Sequence, residues 1–244
     1  MAVINSINNF KVLQWIKLKN KINRDKQRLF LVEGFHLVDE ANKSNYLKEI
    51  ITLEKNTPFS VPSHQVTYDV MEKLSSMATP AKIMGICRQK EKTTHGNNIL
   101  LIDQIHHPGN LGTIIRSAVA FDVDTLVLNN SVDIYNNKVI QATQGMIFHL
   151  NIIKAPLADF ITQIKSEKYQ IIGTDVKSGV PVNAVNPGKK RALIIGNEGD
   201  GVNSNLLDLC DIKINIKMNS KCESLNVGVA ASIILYGLAC GDTK

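Results

Sequence analysis

Three short stretches of this chain carry hydrogen-bonding side chains where a folded protein could use them for chemistry. They are "HHPGNLGTIIRSA" (106–118), "IIGNEGDG" (194–201) and "CESLNVGVA" (222–230). Each follows an apolar run that reads as a strand, and α/β proteins bind ligands beyond the carboxyl ends of their strands. In the first stretch Pro108-Gly109 makes a turn, and Asn110 is a good N-cap for the helix that follows. Arg116 falls off the apolar stripe of that helix, toward solvent. Helical side chains lean toward the N-terminus, so its guanidinium can reach back over the first turn. Taken singly, an ordinary capped helix with a surface arginine reads the same way. In the second stretch, glycines 196, 199 and 201 let the backbone approach a ligand and offer it N–H groups. Glu198 among them suits a cationic or neutral polar ligand better than a phosphate. The chain has no GxGxxG, so the common dinucleotide fingerprint is absent. In the third stretch Glu223, Ser224 and Asn226 stand at the mouth of an apolar helix, where Ser224 or Asn226 can serve as cap. Adjacent histidines such as His106-His107 rarely face one point, and no carboxylate cluster accompanies them, so no metal is expected.

The elements that must position these residues can be read from periodicity. In the second part of the chain, strands are expected at 99–103, 125–130, 170–175, 192–196 and 212–216. They are short and continuously apolar, which suits parallel strands buried on both faces. Helical stripes fall at 111, 114, 115, 118 and 119, and at 227, 230, 231, 234, 235 and 238. Helices between buried strands imply a parallel sheet covered on both sides. Small Gly228 and Ala231 suggest that the last helix passes close to neighbouring backbone. The first part is a smaller α/β pattern: a helix over 6–19, a basic loop, and strands at 29–34, 47–53 and 81–89. Helices are expected at 35–43 and 69–76. "KEKTTHGNN" (90–98) is polar and aperiodic. The expected organisation is a domain over 1–92, a linker over 93–98 and a second domain over 99–244.

Composition narrows the partner. Residues 1–98 hold 15 Lys/Arg against 9 Asp/Glu, whereas 99–244 hold 13 of each, so all of the +6 net charge lies in the first part. Residues 11–28 carry seven basic side chains and one acid. This asymmetry points to a polyanion held by the first domain. No apolar run nears the ~18 residues of a membrane span, and the first residues lack the apolar core of a signal peptide. Cys87, Cys210, Cys222 and Cys240 show no CxxC spacing and read as reduced, buried thiols of a cytoplasmic protein.

Together, "HPGNLGTIIRSAVAFDV", "ALIIGNEGDGV" and "IKMNSKCESLNVGVAASIILY" resemble the three successive motifs of the SpoU (TrmH-like) family. These are S-adenosylmethionine-dependent RNA ribose 2′-O-methyltransferases of the SPOUT superfamily. "KLKNKINRDKQRLFLVEGFHLVDEA" resembles the start of the small, L30e-like substrate-binding domain that precedes many of them. The resemblance implies an α/β fold whose C-terminal parallel sheet carries a deep trefoil knot. It also implies a homodimer, an RNA substrate (23S rRNA before tRNA) and no metal. A catalytically silent RNA-binding or ribosome-assembly factor would share the fold. Residue by residue, it implies catalytic roles for Asn110, Arg116, Glu198, Ser224 and Asn226. It implies cofactor contacts from Thr174, Gly196, Asn197, Glu198, Gly201, Ile216, Met218, Ser224, Leu225 and Asn226. Lys17, Lys19, Lys21, Arg24, Lys26 and Arg28 are the first candidates for RNA contact. The chain departs from the family pattern at four places. Asp122 stands for glycine, Lys217 for the proline of "IPM", Gln141 for arginine and Gly228 for serine.

Overall fold

A computed structural model describes residues 3–90 and 94–241. The chain begins with α1 (Phe10–Lys17), α2 (Lys21–Gln27), β1 (Leu29–Glu33), α3 (Phe35–Lys43), β2 (Leu47–Thr52), β3 (Ser63–Gln65), α4 (Tyr68–Leu74) and β4 (Ile83–Arg88). It continues with β5 (Asn98–Asp103), α5 (Pro108–Ala120), β6 (Thr125–Asn129), α6 (Asn137–Thr143), β7 (Asn151–Lys154) and α7 (Leu157–Ser166). Then come β8 (Gln170–Thr174), β9 (Val180–Pro181), β10 (Arg191–Ile195), α8 (Ser204–Leu207), β11 (Ile212–Asn215) and α9 (Val227–Gly241). The chain clusters into two compact units, one of residues 1–90 with 135–148 and one of 91–134 with 149–244.

The first unit has a four-stranded sheet in the order β1-β4-β2-β3. Its core packs Val12, Trp15 and Leu18 of the α1 segment and Val70, Met71 and Leu74 of α4 against Leu31, Ile51, Met84 and Ile86. The basic stretch after α1 is a second helix rather than the expected loop. Periodicity misses α2 because it buries little apolar surface: Ile22 is 76% exposed. It is held by polar ends instead. Asn20 caps it by accepting the Ile22 N–H at 2.9 Å. Arg24 lies buried and donates to the Leu18 and Lys19 carbonyls at 3.0 and 2.8 Å, groups that the end of α1 leaves open.

The second unit has a seven-stranded sheet in the order β7-β6-β5-β10-β8-β11-β9, and every pairing is parallel. Its five central strands are those expected from the sequence, and their inward residues, such as Leu101, Val127, Ile171 and Ile194, join one core. The strand order reverses between β5 and β10, which sends β6 and β7 one way and β8 and β11 the other. The loops after β5 and β10 therefore leave side by side, at the switch point where such sheets bind ligands.

The stretch expected to be a linker is only partly described, since residue 93 lies outside the described residues. From His95 on it is packed on the second unit. The His95 Nδ1 lies 3.2 Å from the Tyr169 hydroxyl, and the Gly96 N–H donates to the Thr125 hydroxyl at 3.0 Å. Polarity here reflects hydrogen bonding to the sheet edge and not a loose segment. Among the described residues no disulfide joins the four cysteines, yet only Cys87 is buried; Cys210 is half-buried, and Cys222 and Cys240 are exposed. Asp122 explains the glycine common at its position. It ends α5 with φ +58, and the Val123 N–H reaches back to the Ala118 carbonyl at 2.9 Å, a left-handed helix stop that glycine adopts most easily. Gln141 donates its amide to the Glu33 carbonyl at 3.1 Å within the first unit, so it has a structural partner there.

Candidate active site

The site is built where three loops meet at the carboxyl edge of the parallel sheet. Pro108 opens α5 at its first turn, where its missing N–H costs nothing, and His107 takes the cap position. Asn110 is therefore not the N-cap that the sequence suggested. It sits inside the first turn, and its side chain is free for other work. Its Nδ2 donates to Glu198 Oε1 at 3.1 Å, and its Oδ1 accepts from Asn226 Nδ2 at 3.0 Å.

Asn226 is the cap of α9. Its Oδ1 accepts the Gly228 and Val229 N–H groups at 2.9 and 3.3 Å. Its amide nitrogen must then face away from the helix, toward Asn110. At the other end, Glu198 also accepts the His107 and His106 N–H groups at 3.0 and 3.3 Å. Helix N–H groups at one end and a carboxylate at the other thus fix both amide orientations. Burial alone would raise the Glu198 carboxyl. The His107 N–H, the Asn110 amide and the His106 N–H outweigh that and hold it below the usual carboxylate range.

The glycines of the second loop serve the loop itself. Residues 197 and 201 form a tight hairpin, with N–H to carbonyl distances of 2.9 and 3.1 Å. A Cβ at Gly196 would meet the Gly201 backbone at 2.1 Å, and Gly201 holds φ +72. Asn197 locks this turn: its Oδ1 accepts the Gly199 N–H at 2.8 Å and its Nδ2 donates to the Gln104 carbonyl at 2.9 Å. The sequence reading expects a cofactor contact from Asn197, whereas these hydrogen bonds of its amide are internal to the protein. Thr174 likewise donates its hydroxyl to the Ile194 carbonyl at 3.1 Å.

A cavity of about 450 Å³ opens beside the loop after β11, within the range of small-molecule sites. Its wall includes Ile216 and Met218, two of the residues expected to touch a cofactor, together with Lys217, Glu223, Val176 and Gly179. Gly179 has no room for a side chain, because a Cβ would stand 2.4 Å from the Ile214 carbonyl carbon. Ser224 and Leu225 lie between this wall and Asn226; Ser224 is exposed and Leu225 half-buried. Arg116 is exposed on α5, and among the described residues no hydrogen bond joins it to Asn110. An added Cβ at Gly228 would meet the Asn226 and Thr113 side chains, each at 3.2 Å, rather than neighbouring backbone. Ser117 and Ser232 meet at 2.6 Å, so α5 and α9 pack along the same line as the site.

The candidates for RNA contact divide in the structure. Arg24 is buried in carbonyl contacts and is corrected to a structural residue. Lys19 donates to the Lys73 and Ser75 carbonyls at 2.9 Å each, and burial leads in lowering its pKa. Lys21 pairs with Asp25 at 2.6 Å. Lys17, Lys26 and Arg28 are exposed.

Residues 97–236 match the SpoU rRNA Methylase family, and residues 9–85 match an MRM3-like substrate binding domain. The chain belongs to the SpoU family. A Bacillus subtilis relative, the 23S rRNA (guanosine(2553)-2′-O)-methyltransferase RlmP, is 35% identical over 98% of this chain and 99% of its own. An RNA 2′-O ribose methyltransferase structure superposes with a TM-score of 0.86 at 25% identity and covers all of both chains. The AdoMet-bound rRNA methyltransferase of Sinorhizobium meliloti superposes with a TM-score of 0.87 at 25% identity over 97% of each chain. The α/β fold with its parallel sheet is thus that of SpoU enzymes. The three convergent loops are the three motifs that carried the resemblance.

Proposed function

We propose that the chain transfers the methyl group of S-adenosylmethionine to a ribose 2′-hydroxyl of 23S ribosomal RNA. One observation carries the reading best: the continuous bond path Glu198–Asn110–Asn226, which ties the three loops of a SpoU chain into one polar wall. The cavity fits the donor. Val176, Ile216 and Met218 offer an apolar wall for a flat base and an alkyl chain, and Glu223 offers a carboxylate to the positive charges of the sulfonium and the amino group. When bound, S-adenosylmethionine supplies an electrophilic methyl and needs no metal.

The chain's own residues must align the 2′-oxygen and ease the loss of its proton. Glu198 is a poor base, since three donors hold its carboxyl in the charged form. It orients the loop before α5 instead. Arg116 reaches the substrate side from the exposed face of α5, where its guanidinium grips a phosphate and favours negative charge on the ribose oxygen. Ser224 and Asn226 complete the wall.

The first domain, which holds the surplus charge, presents the RNA through Lys17, Lys26 and Arg28. A homodimer is the expected assembly. On α9, Val229, Ile233 and Tyr236 remain 46, 39 and 58% exposed, a face suited to a second copy. Among the described residues no helix is long and apolar enough to cross a membrane, and a ribosomal substrate supports a cytoplasmic enzyme. The close passage at Gly179 and Gly196 suits a threaded, knotted chain.

The test has two arms. Mapping 2′-O-methylation in total RNA with and without the gene should reveal one lost site in 23S rRNA; no lost site refutes the reading. Arg116→Ala should abolish transfer while calorimetry still shows cofactor binding. Undiminished turnover would remove Arg116 from the chemistry.

A further inference from the structure

The first unit carries an exposed aromatic edge that the methyl-transfer site does not use. Strands β1 and β2 both run antiparallel to β4, and β3 runs parallel to β2, so β1, β2 and β3 point one way. The Gly34 N–H donates to the Ile83 carbonyl and the Leu53 N–H to the Lys82 carbonyl, each at 3.0 Å. The segments after β1 and β2 therefore leave the sheet side by side. The first presents Phe35, 57% exposed, and the second presents half-buried Phe59. Their ring centroids lie 5.5 Å apart at 42°. Tyr68, which follows β3 at the same edge of the sheet, is 52% exposed.

A soluble chain gains by burying phenylalanine, so a ring pair left in water needs a reason. Beside it, Gly34 holds φ +98, and a Cβ there would meet nothing within 4 Å, so the space next to Phe35 is open. The nearby charge is favourable for an anion. Lys55, on the Phe59 segment, and Lys82, at the start of β4, are both exposed. Glu54 is the exposed acid of that segment. The Glu33 carboxylate is buried and taken up by the Ser75 hydroxyl at 2.7 Å and the Ser76 N–H at 2.8 Å.

We propose that this edge is a stacking platform for an unpaired RNA base, with Phe35 as the contact ring, Phe59 behind it, and Lys55 and Lys82 on the backbone phosphates. An open aromatic face with lysines beside it is how proteins hold single-stranded RNA, because every base offers a π-face. The inference rests on the RNA-methyltransferase reading and deepens it: the RNA substrate includes an unpaired nucleotide that the first unit holds.

The experiment uses the full chain, an unstructured RNA oligonucleotide and the same sequence as a duplex. Phe35→Ala and Phe35→Leu should each weaken single-strand binding about tenfold or more and leave duplex binding unchanged. Phe35→Trp should bind as the parent does, and its emission should be quenched by RNA. Trp15, the one native tryptophan, is buried and gives a quiet background. Cofactor binding by each variant checks folding. Parent-like binding by Phe35→Leu, or an unquenched Phe35→Trp at saturation, would overturn the platform and assign the edge to a protein partner. If the parent methylates ribosomal RNA while the Phe35 variants bind normally, only this inference fails. If the parent methylates no RNA, the functional reading fails first.

Discussion

The Asn226 amide donates to the Asn110 side-chain oxygen across 3.0 Å, joining residues 116 positions apart. The same Asn226 caps α9 through its other amide atom, and the same Asn110 holds Glu198. One helix start, one helix turn and one loop are thereby locked to a common geometry. Substitutions that separate these duties can tell which of them serves catalysis.

Asn226→Asp should separate capping from relay. Aspartate caps a helix as well as asparagine does, but an ionised carboxylate cannot donate to Asn110. Thermal melting should change little, whereas methyl transfer should fall at least about tenfold, a loss of roughly 1.4 kcal/mol of barrier stabilisation. Asn226→Ala should also lose about 1 kcal/mol of stability, read by urea denaturation.

Acid should test Glu198. Its folded pKa lies below the ordinary value, so its contribution is present above the ordinary carboxylate range and is lost as pH falls through the lowered value. The acid limb of cofactor binding should therefore lie below the usual glutamate range. Glu198→Gln brings an N–H toward the donors of His106, His107 and Asn110, and it should remove that limb. The pH profiles of the two proteins, measured by calorimetry, check this.

Basic residues of the first unit should behave in two ways. Arg24→Ala leaves the Leu18 and Lys19 carbonyls without their donor and should cost about 2 kcal/mol in urea melts. Lys17→Ala and Lys26→Ala should leave melting unchanged, weaken RNA binding, and each reduce the salt slope by about 1.

Asp122→Gly should stabilise the protein. The residue holds φ +58 at the end of α5, where a Cβ is unfavourable. A gain of about 0.5–1 kcal/mol would raise the melting temperature by roughly 1–4 °C.

The parallel sheet was legible because strands such as "ILLID" and "ALIIG" are buried on both faces and carry no polar interruption. Apolar periodicity says nothing where polar bonds do the holding. That is why α2, fixed by Asn20 and Arg24, looked like a loop, and why Arg24 looked like a surface cation. The polar residues of the site were identifiable by type, but their partners were not. Asn110 reads locally as a cap, and only the fold shows that Pro108 moves the helix start ahead of it and releases its amide. Asn197 and Gly196 looked outward for the same reason: a sequence does not show that Gly201 lies against them.

The order in which the sheet is paired has a consequence for how the enzyme comes into being. β5 lies beside β10, and the Asn110–Glu198 bond spans 88 positions. Contacts between distant segments form slowly, because chain entropy must be lost before they stabilise anything. Before α9 is made, Asn110 has no Asn226 to meet. A nascent chain that still lacks α9 would therefore lack the bond path that joins the three loops, and that path closes only when the last helix arrives.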